Sequence, residues 1–248
     1  MSENVFKNFI KRLSHNSSSI KIVKFFHLRK IARILYYYFL RSKDNILNTN
    51  FAGVDVKYYA RSPEEFRLAE SVSGEWGEKD VVEALMFSLG PGDCFYDVGA
   101  NIGIYSIVMS KIVKEKGTVV AFEPEKESVS RLRDNINLNG LKNVIVINKA
   151  LGEKNEKGSL FIGKTVGHYS LLKIKEKGVN SQDVEIVNGD DFVDKNHLPL
   201  PKAIKIDVEG YEYAVLLGFS KTLSNPECKI ICIEMHPYFF KDGATESL

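Results

Sequence analysis

The sequence predicts a doubly wound, mostly parallel α/β sheet preceded by a basic helical segment, and three observations carry that expectation. From about residue 51 onward, short apolar runs alternate with helix-patterned stretches, the rhythm of β/α units around a parallel sheet. One of those runs, "CFYDV" (94–98), ends in an acid and is followed by a glycine-rich turn and a helical stretch. The first fifty residues are chemically different from the rest. They hold ten Lys or Arg against two acids, net +8, whereas the remainder holds 24 against 30, net −6. Residues 1–50 therefore read as a basic helical appendage and residues 51–248 as the globular domain.

In chain order, "FAGVDVKYYA" (51–60) reads as a strand pair or lead-in, and "EKDVVEALMFSL" (78–89) as a helix stopped by Gly90-Pro91-Gly92. Three strands follow at 94–98, 118–123 and 144–150, separated by helices at 103–113 and 126–139. Between 158 and 188 the pattern shifts to inserted strands, "GSLFIG" and "VEIV", joined by a polar, Lys-rich stretch. Buried-strand style resumes in "AIKIDVE" (203–209) and "KIICIE" (229–234), with a helix through "YEYAVLLGFSKTL" between them.

Hydrophobic content of 44% and charged content of 27% suit an ordinary globular core. Cys94, Cys228 and Cys232 are too few for a disulfide framework and poorly spaced for zinc, which points to reduced thiols and a cytoplasmic setting. In the basic segment, "IKIVKFFHLRKIARILYYYFLR" (20–41), the longest uncharged stretch is seven residues, far short of the ~20 that span a bilayer. The same charges break every candidate signal-peptide core. Two roles fit it: a helix packed on its own domain, or peripheral contact with a lipid surface. Nucleic acid is not an expected partner.

"GSLFIGKT" (158–165) satisfies the phosphate-loop pattern G-x-x-x-x-G-K-[ST]. Such a loop must leave a strand and open a helix, so that backbone N–H groups converge on phosphate. Here Ser159–Ile162 are strand material and "VGHYS" starts no helix, so the match is accidental.

"FYDVGANIGIYS" (95–106) is the stronger candidate. Gly99 permits a tight turn, Asn101 tolerates left-handed backbone, and Gly103 lets a helix start close by. The spacing G-x-N-x-G is not the dinucleotide pattern. A carboxylate at Asp97 would repel pyrophosphate but welcome a ligand bearing ammonium and sulfonium charges, as S-adenosylmethionine does. Glu123, ending the next strand, stands where an acid can accept from ribose hydroxyls.

At these residues the chain resembles the FkbM family of S-adenosylmethionine-dependent methyltransferases. "PGDCFYDVGANIGIYS", "VVAFEPEKESVSRLRDNINLNGLKNV", "IKIDVEGYEYAVLLG" and "CIEMHP" carry the resemblance, from about residue 91 to 236. It implies a class I methyltransferase (Rossmann-like) sheet and a cofactor held by Asp97, Gly99, Asn101, Gly103 and Glu123. Ala150 and Leu151 are implied to lie near adenine. Family members mostly methylate hydroxyls of sugars, glycans, glycolipids or polyketide-type products.

The "KIDVEGYE" block has a physical reading of its own. Along a strand, alternate residues share a face, so Lys205, Asp207 and Glu209 form one set, and Glu234 and His236 repeat the arrangement next door. Asp207 or His236 is the expected general base for methyl transfer to a hydroxyl, with Glu209 and Glu234 positioning the acceptor. The same groups also suit a divalent cation, which is not the favoured reading, or purely structural pairing at strand ends. His168, Tyr169, Asp190 and Asp191 either shape the acceptor pocket or serve as loop and helix cap.

Only fourteen residues follow Glu234, too few for the antiparallel hairpin that usually completes this fold, so the last strand is expected to have an open edge, inviting a homodimer. Two rival functions remain at this stage: a nicotinamide-dependent oxidoreductase, and a non-catalytic protein that keeps the cofactor fold as a scaffold.

Overall fold

The structure is a computed structural model that describes residues 44–63, 65–66, 79–162, 169–171 and 180–236. The basic segment up to residue 43 and the tail from 237, where the missing hairpin was expected, lie outside the described residues, as does His168.

The described chain opens with β1 (Ile46–Phe51) and β2 (Val54–Tyr59), an antiparallel hairpin. Its turn residues, Ala52 and Gly53, have φ of 43° and 91°, the geometry that matches strand twist in two-residue loops. Pairing starts at Ile46, ahead of the expected boundary at 50. The outer edge of β2 is stitched to the domain by asparagine side chains. Asn139 Oδ1 accepts from Lys57 N at 3.0 Å and Asn135 Oδ1 from Tyr59 N at 2.8 Å. An edge that would otherwise offer free backbone donors is thereby satisfied.

Five parallel strands form the central sheet: β3 (Cys94–Val98), β4 (Thr118–Phe122), β5 (Val144–Ile147), β10 (Ala203–Ile206) and β11 (Ile230–Ile233). Their order is β11-β10-β3-β4-β5. All five residues of the central β3 are buried, as a parallel strand covered on both faces requires. Phe95 faces a core shared with α1 (Lys79–Ser88), α2 (Ile104–Val113) and the hairpin. Cys94, Tyr96 and Val98 face the opposite core, where Phe219 packs between α4 (Gly189–Lys195) and α5 (Glu212–Gly218). Helices on both faces make the sheet doubly wound, as expected. α3 (Lys126–Leu138) covers β4 and β5, and α6 (Ser220–Leu223) follows α5.

The run expected as one strand over 144–150 divides. β5 ends at Ile147, because Asn148 turns away and its Nδ2 donates to the carbonyls of Glu123 and Pro124, both at 2.9 Å. Ala150 then begins a second sheet of β6 (Ala150–Gly152), β7 (Glu156–Ile162), β8 (Tyr169–Ser170) and β9 (Asn180–Asn188), ordered β6-β9-β7-β8. Gly158 sits in mid-strand opposite Val184, and Ser159 to Ile162 continue β7, so this part of the phosphate-loop match is strand. Gly163 to Thr165 lie outside the described residues.

β10 is shorter than expected. It ends at Ile206, and Glu209 and Gly210 turn the chain with φ of 51° and 99°. Strand alternation therefore does not place Glu209; a turn does. Asp190 and Asp191 lie in the first turn of α4, whose cap is Asn188. Asp190 accepts from the N–H groups of Lys221 and Thr222, and Asp191 N donates to the Asn188 cap. The three cysteines are unbridged thiols, with Cys94 buried. Among the described residues no helix is long and apolar enough to cross a membrane.

Candidate active site

Strand order reverses between β3 and β10, and open α/β sheets bind ligands at that switch point, outside the carboxyl ends of the strands. A cleft lies there, open to solvent. Gly99, Asn101, Glu123, Ala150 and Leu151 line it, together with Asp207 and Glu209. The inserted sheet supplies Leu160, and Leu171 and Tyr211 complete that apolar wall.

Backbone geometry builds the β3 side. Gly99 has φ +84°, and a Cβ there would lie 1.8 Å from the Asp207 carbonyl oxygen. Only glycine lets the β3 and β10 turns approach so closely. Asn101 adopts φ +50°, and its N–H donates to Glu123 Oε2 at 2.8 Å, while Glu125 N donates to Oε1 at 2.8 Å. The Glu123 carboxylate is thus clamped at both oxygens, each keeping acceptor capacity. Burial pushes its pKa up to about 7 despite those two bonds.

Two expected cofactor residues do not line the cleft. Asp97 is buried beneath it, with Oδ2 accepting from Ser106 Oγ at 2.6 Å and Lys205 opposite it in the β3–β10 register. Burial raises its pKa, against the pull of Lys205 and Ser106. Gly103, at φ +90°, works at a helix contact instead. A Cβ there would lie 2.3 Å from Leu132 Cδ1, so it sets how closely α2 and α3 pack.

The second side gathers the predicted acids. Lys205 is buried over the Tyr105 ring and its Nζ lies 2.8 Å from Asp207 Oδ2. His236 Nε2 lies 3.6 Å from Glu209 Oε2 and 3.9 Å from the half-exposed Glu234 Oε1; His236 and Glu234 stand behind Asp207 and Glu209 and are not among the lining residues. Asp207, Glu209 and His236 each bring one ligand-type atom within 4.8 Å of the others. Burial lowers the His236 pKa, but the Glu212 hydrogen bond and the charges of Glu209, Asp207 and Glu212 outweigh it, leaving the imidazole above its ordinary 6.5.

Glu212 was not foreseen. Fully buried, it offers Oε1 to His236 Nδ1 at 2.9 Å and accepts from Gly210 N at 2.9 Å. In the sequence it reads as an ordinary acid in a helix's first turn, and nothing local marks its long-range partner.

The cleft's donor and acceptor balance tests which cofactor fits. Asn101 Oδ1 is a buried acceptor without a hydrogen-bond partner among the described residues, and Glu123, Asp207 and Glu209 are further acceptors on the walls. Among the described residues, Lys149 is the one cation lining it, and it is paired with Glu185. Such walls suit a ligand rich in O–H and N–H⁺ donors with an apolar ring system, and disfavour a pyrophosphate. S-adenosylmethionine meets that description through its ribose hydroxyls, ammonium, sulfonium and adenine.

Sheet order and cleft together are those of the Rossmann-like fold that class I methyltransferases use. A family model, the methyltransferase FkbM domain, matches residues 97–246, and the chain belongs to that family. The hexuronic acid methyltransferase AglP of Haloferax volcanii is 27% identical over 186 residues, covering 75% of this chain and 72% of that protein. Among solved structures, methyltransferase FkbM from Methylobacillus flagellatus aligns with 20% identity and a TM-score of 0.40 over 58% of this chain; the chain spans only 33% of that protein's length. Precorrin-6y C5,15-methyltransferase from Geobacter metallireducens aligns with 15% identity and a TM-score of 0.39, over 62% of this chain and 61% of that one.

Proposed function

We propose that this protein is an O-methyltransferase that moves the methyl group of S-adenosylmethionine to a hydroxyl of a sugar, glycan, glycolipid or related small molecule. The observation that carries the reading is His236, held by Glu212 and brought within 4.8 Å of Asp207 and Glu209, which line a cleft whose other wall accepts hydrogen bonds. The similarity to AglP, a hexuronic acid methyltransferase, supports a sugar acceptor.

When bound, S-adenosylmethionine supplies an electrophilic methyl group on a cationic sulfur. Glu123 and Asn101 would take the ribose and other donors, and Leu151 and Leu160 would face the adenine. Asp97, beneath the floor, contributes negative potential rather than a contact. On the acceptor side, Asp207 has the Lys205 ammonium 2.8 Å away, which fixes its carboxylate as an anchor for a hydroxyl. His236 is the better general base. Glu209 borders the same space and positions the acceptor, while Glu234 stands behind it. The basic N-terminal segment favours an acceptor held at an anionic lipid surface, and β11, paired only with β10 among the described residues, offers an edge to a second copy.

The test incubates the full chain and its His236→Ala variant with methyl-labelled S-adenosylmethionine and a panel of methyl glycosides, including glucuronides. We expect transfer to a hydroxyl by the wild type, and a loss of roughly 100- to 10,000-fold in the variant. Transfer undiminished in His236→Ala would remove the imidazole from the chemistry. Activity that survives chelation by EDTA separates acid–base chemistry from a divalent cation bridging the same side chains. Binding of the cofactor without transfer to any acceptor would favour the scaffold alternative.

A further inference from the structure

We infer that Glu212 is a positioning residue: it fixes which nitrogen of His236 faces the acceptor. The inference rests on the methyl-transfer reading, but its structural core does not.

A carboxylate accepts hydrogen bonds and donates none. With Glu212 Oε1 2.9 Å from Nδ1, the proton of the neutral ring belongs on Nδ1 and the lone pair on Nε2. Gly210 N pins the same Oε1 at 2.9 Å, so the carboxylate cannot swing away without leaving a backbone donor. Nε2 is turned toward Glu209 and Glu234 at 3.6 and 3.9 Å, both longer than a hydrogen bond.

A structural role alone explains this acid poorly. Glu212 is 0% exposed, and its Oε2 has no hydrogen-bond partner among the described residues. Burying a carboxylate so incompletely satisfied is expensive. Glu212 does stand in the first turn of α5 and accepts from Gly210 N, but that leaves its partnership with the imidazole unexplained. The group it does serve is the imidazole.

In the reaction, a lone pair of the acceptor oxygen forms the new O–C bond to the methyl carbon. The C–S bond breaks and its electron pair stays on sulfur, cancelling the sulfonium charge. The hydroxyl proton passes to Nε2. The resulting imidazolium keeps its Nδ1–H on Glu212 and is flanked by Asp207, Glu209 and Glu234, then returns the proton to solvent.

Imidazole ¹⁵N NMR on the full chain, with His236 assigned by its absence in His236→Ala, reads the tautomer directly and needs no acceptor. The expected result is Nδ1–H in the wild type and loss of that preference in Glu212→Gln, with Glu212→Asp intermediate. With a glycoside identified by the labelling assay, Glu212→Gln should lower kcat roughly 10- to 100-fold, leaving KM for S-adenosylmethionine within about twofold. An Nε2–H tautomer in the wild type, or an unchanged kcat in a folded Glu212→Gln protein, would overturn the assignment. If the wild type failed to bind S-adenosylhomocysteine, the methyl-transfer reading would fall, while the tautomer would still decide the role of Glu212.

Discussion

The two walls of the cleft hold their working groups by different means. At the ends of β3 and β4, backbone does the holding: Gly99 and Asn101 sit at positive φ, and two amide N–H groups clamp Glu123. At the ends of β10 and β11, side chains hold one another: Lys205 holds Asp207, and Glu212 holds His236. A wall made of backbone is rigid and intolerant of substitution at its turn. A wall made of side chains tolerates substitution in the fold but answers sharply in chemistry.

The contrast breaks most visibly at Gly99. Gly99→Ala places a methyl group 1.8 Å from the Asp207 carbonyl at φ +84°. We expect a loss of about 3 kcal/mol or more, from strain and overlap together, read as a lower urea midpoint, with cofactor binding lost as well. A neutral substitution would mean that the β3 and β10 turns do not meet as described.

A smaller effect is expected beneath the floor. Ser106→Ala removes the hydroxyl donor to the buried Asp97 carboxylate, at a cost of about 1–3 kcal/mol. Equilibrium unfolding measures it, and unchanged stability would show that Asp97 does not depend on Ser106.

The smallest effect is a proton count. The folded pKa of Glu123 is raised from 4.5 to about 7, so its burial favours the fold fully below pH 4.5 and that contribution is lost as pH rises through 7. Ribose hydroxyls donating to Glu123 would favour the carboxylate. Binding of S-adenosylhomocysteine at pH 7 should therefore release about half a proton, and affinity should rise from pH 5 to 7. Calorimetry in phosphate and in Tris reads this directly; identical heats would remove Glu123 from the binding contacts.

The same contrast explains what could be read in the letters alone. Backbone-built features leave local signatures. Gly99, Asn101 and Gly103 announce a left-handed turn, and the apolar runs of β3 and β4 have the bounds the pattern suggests, to within a residue. Ala150 and Leu151 reach the cleft, although through a second sheet rather than as the tail of β5. Asp97 was legible as an important acid but not as a buried one, because the strand sequence does not show that Ser106 comes back over it. Asp207, Glu209 and His236 do converge, yet the alternation used to argue it stops at Ile206, and Glu209 arrives by a left-handed turn. Glu212 was illegible for the same reason: its partner is twenty-four residues away, just beyond the end of β11.

The most direct measurement titrates S-adenosylhomocysteine into the wild type, Glu123→Ala and His236→Ala by calorimetry. The account predicts binding by the wild type, a large loss in Glu123→Ala, and affinity within about twofold of wild type in His236→Ala, since the two walls serve different ligands. No binding by the wild type, or equal losses in both variants, would contradict it.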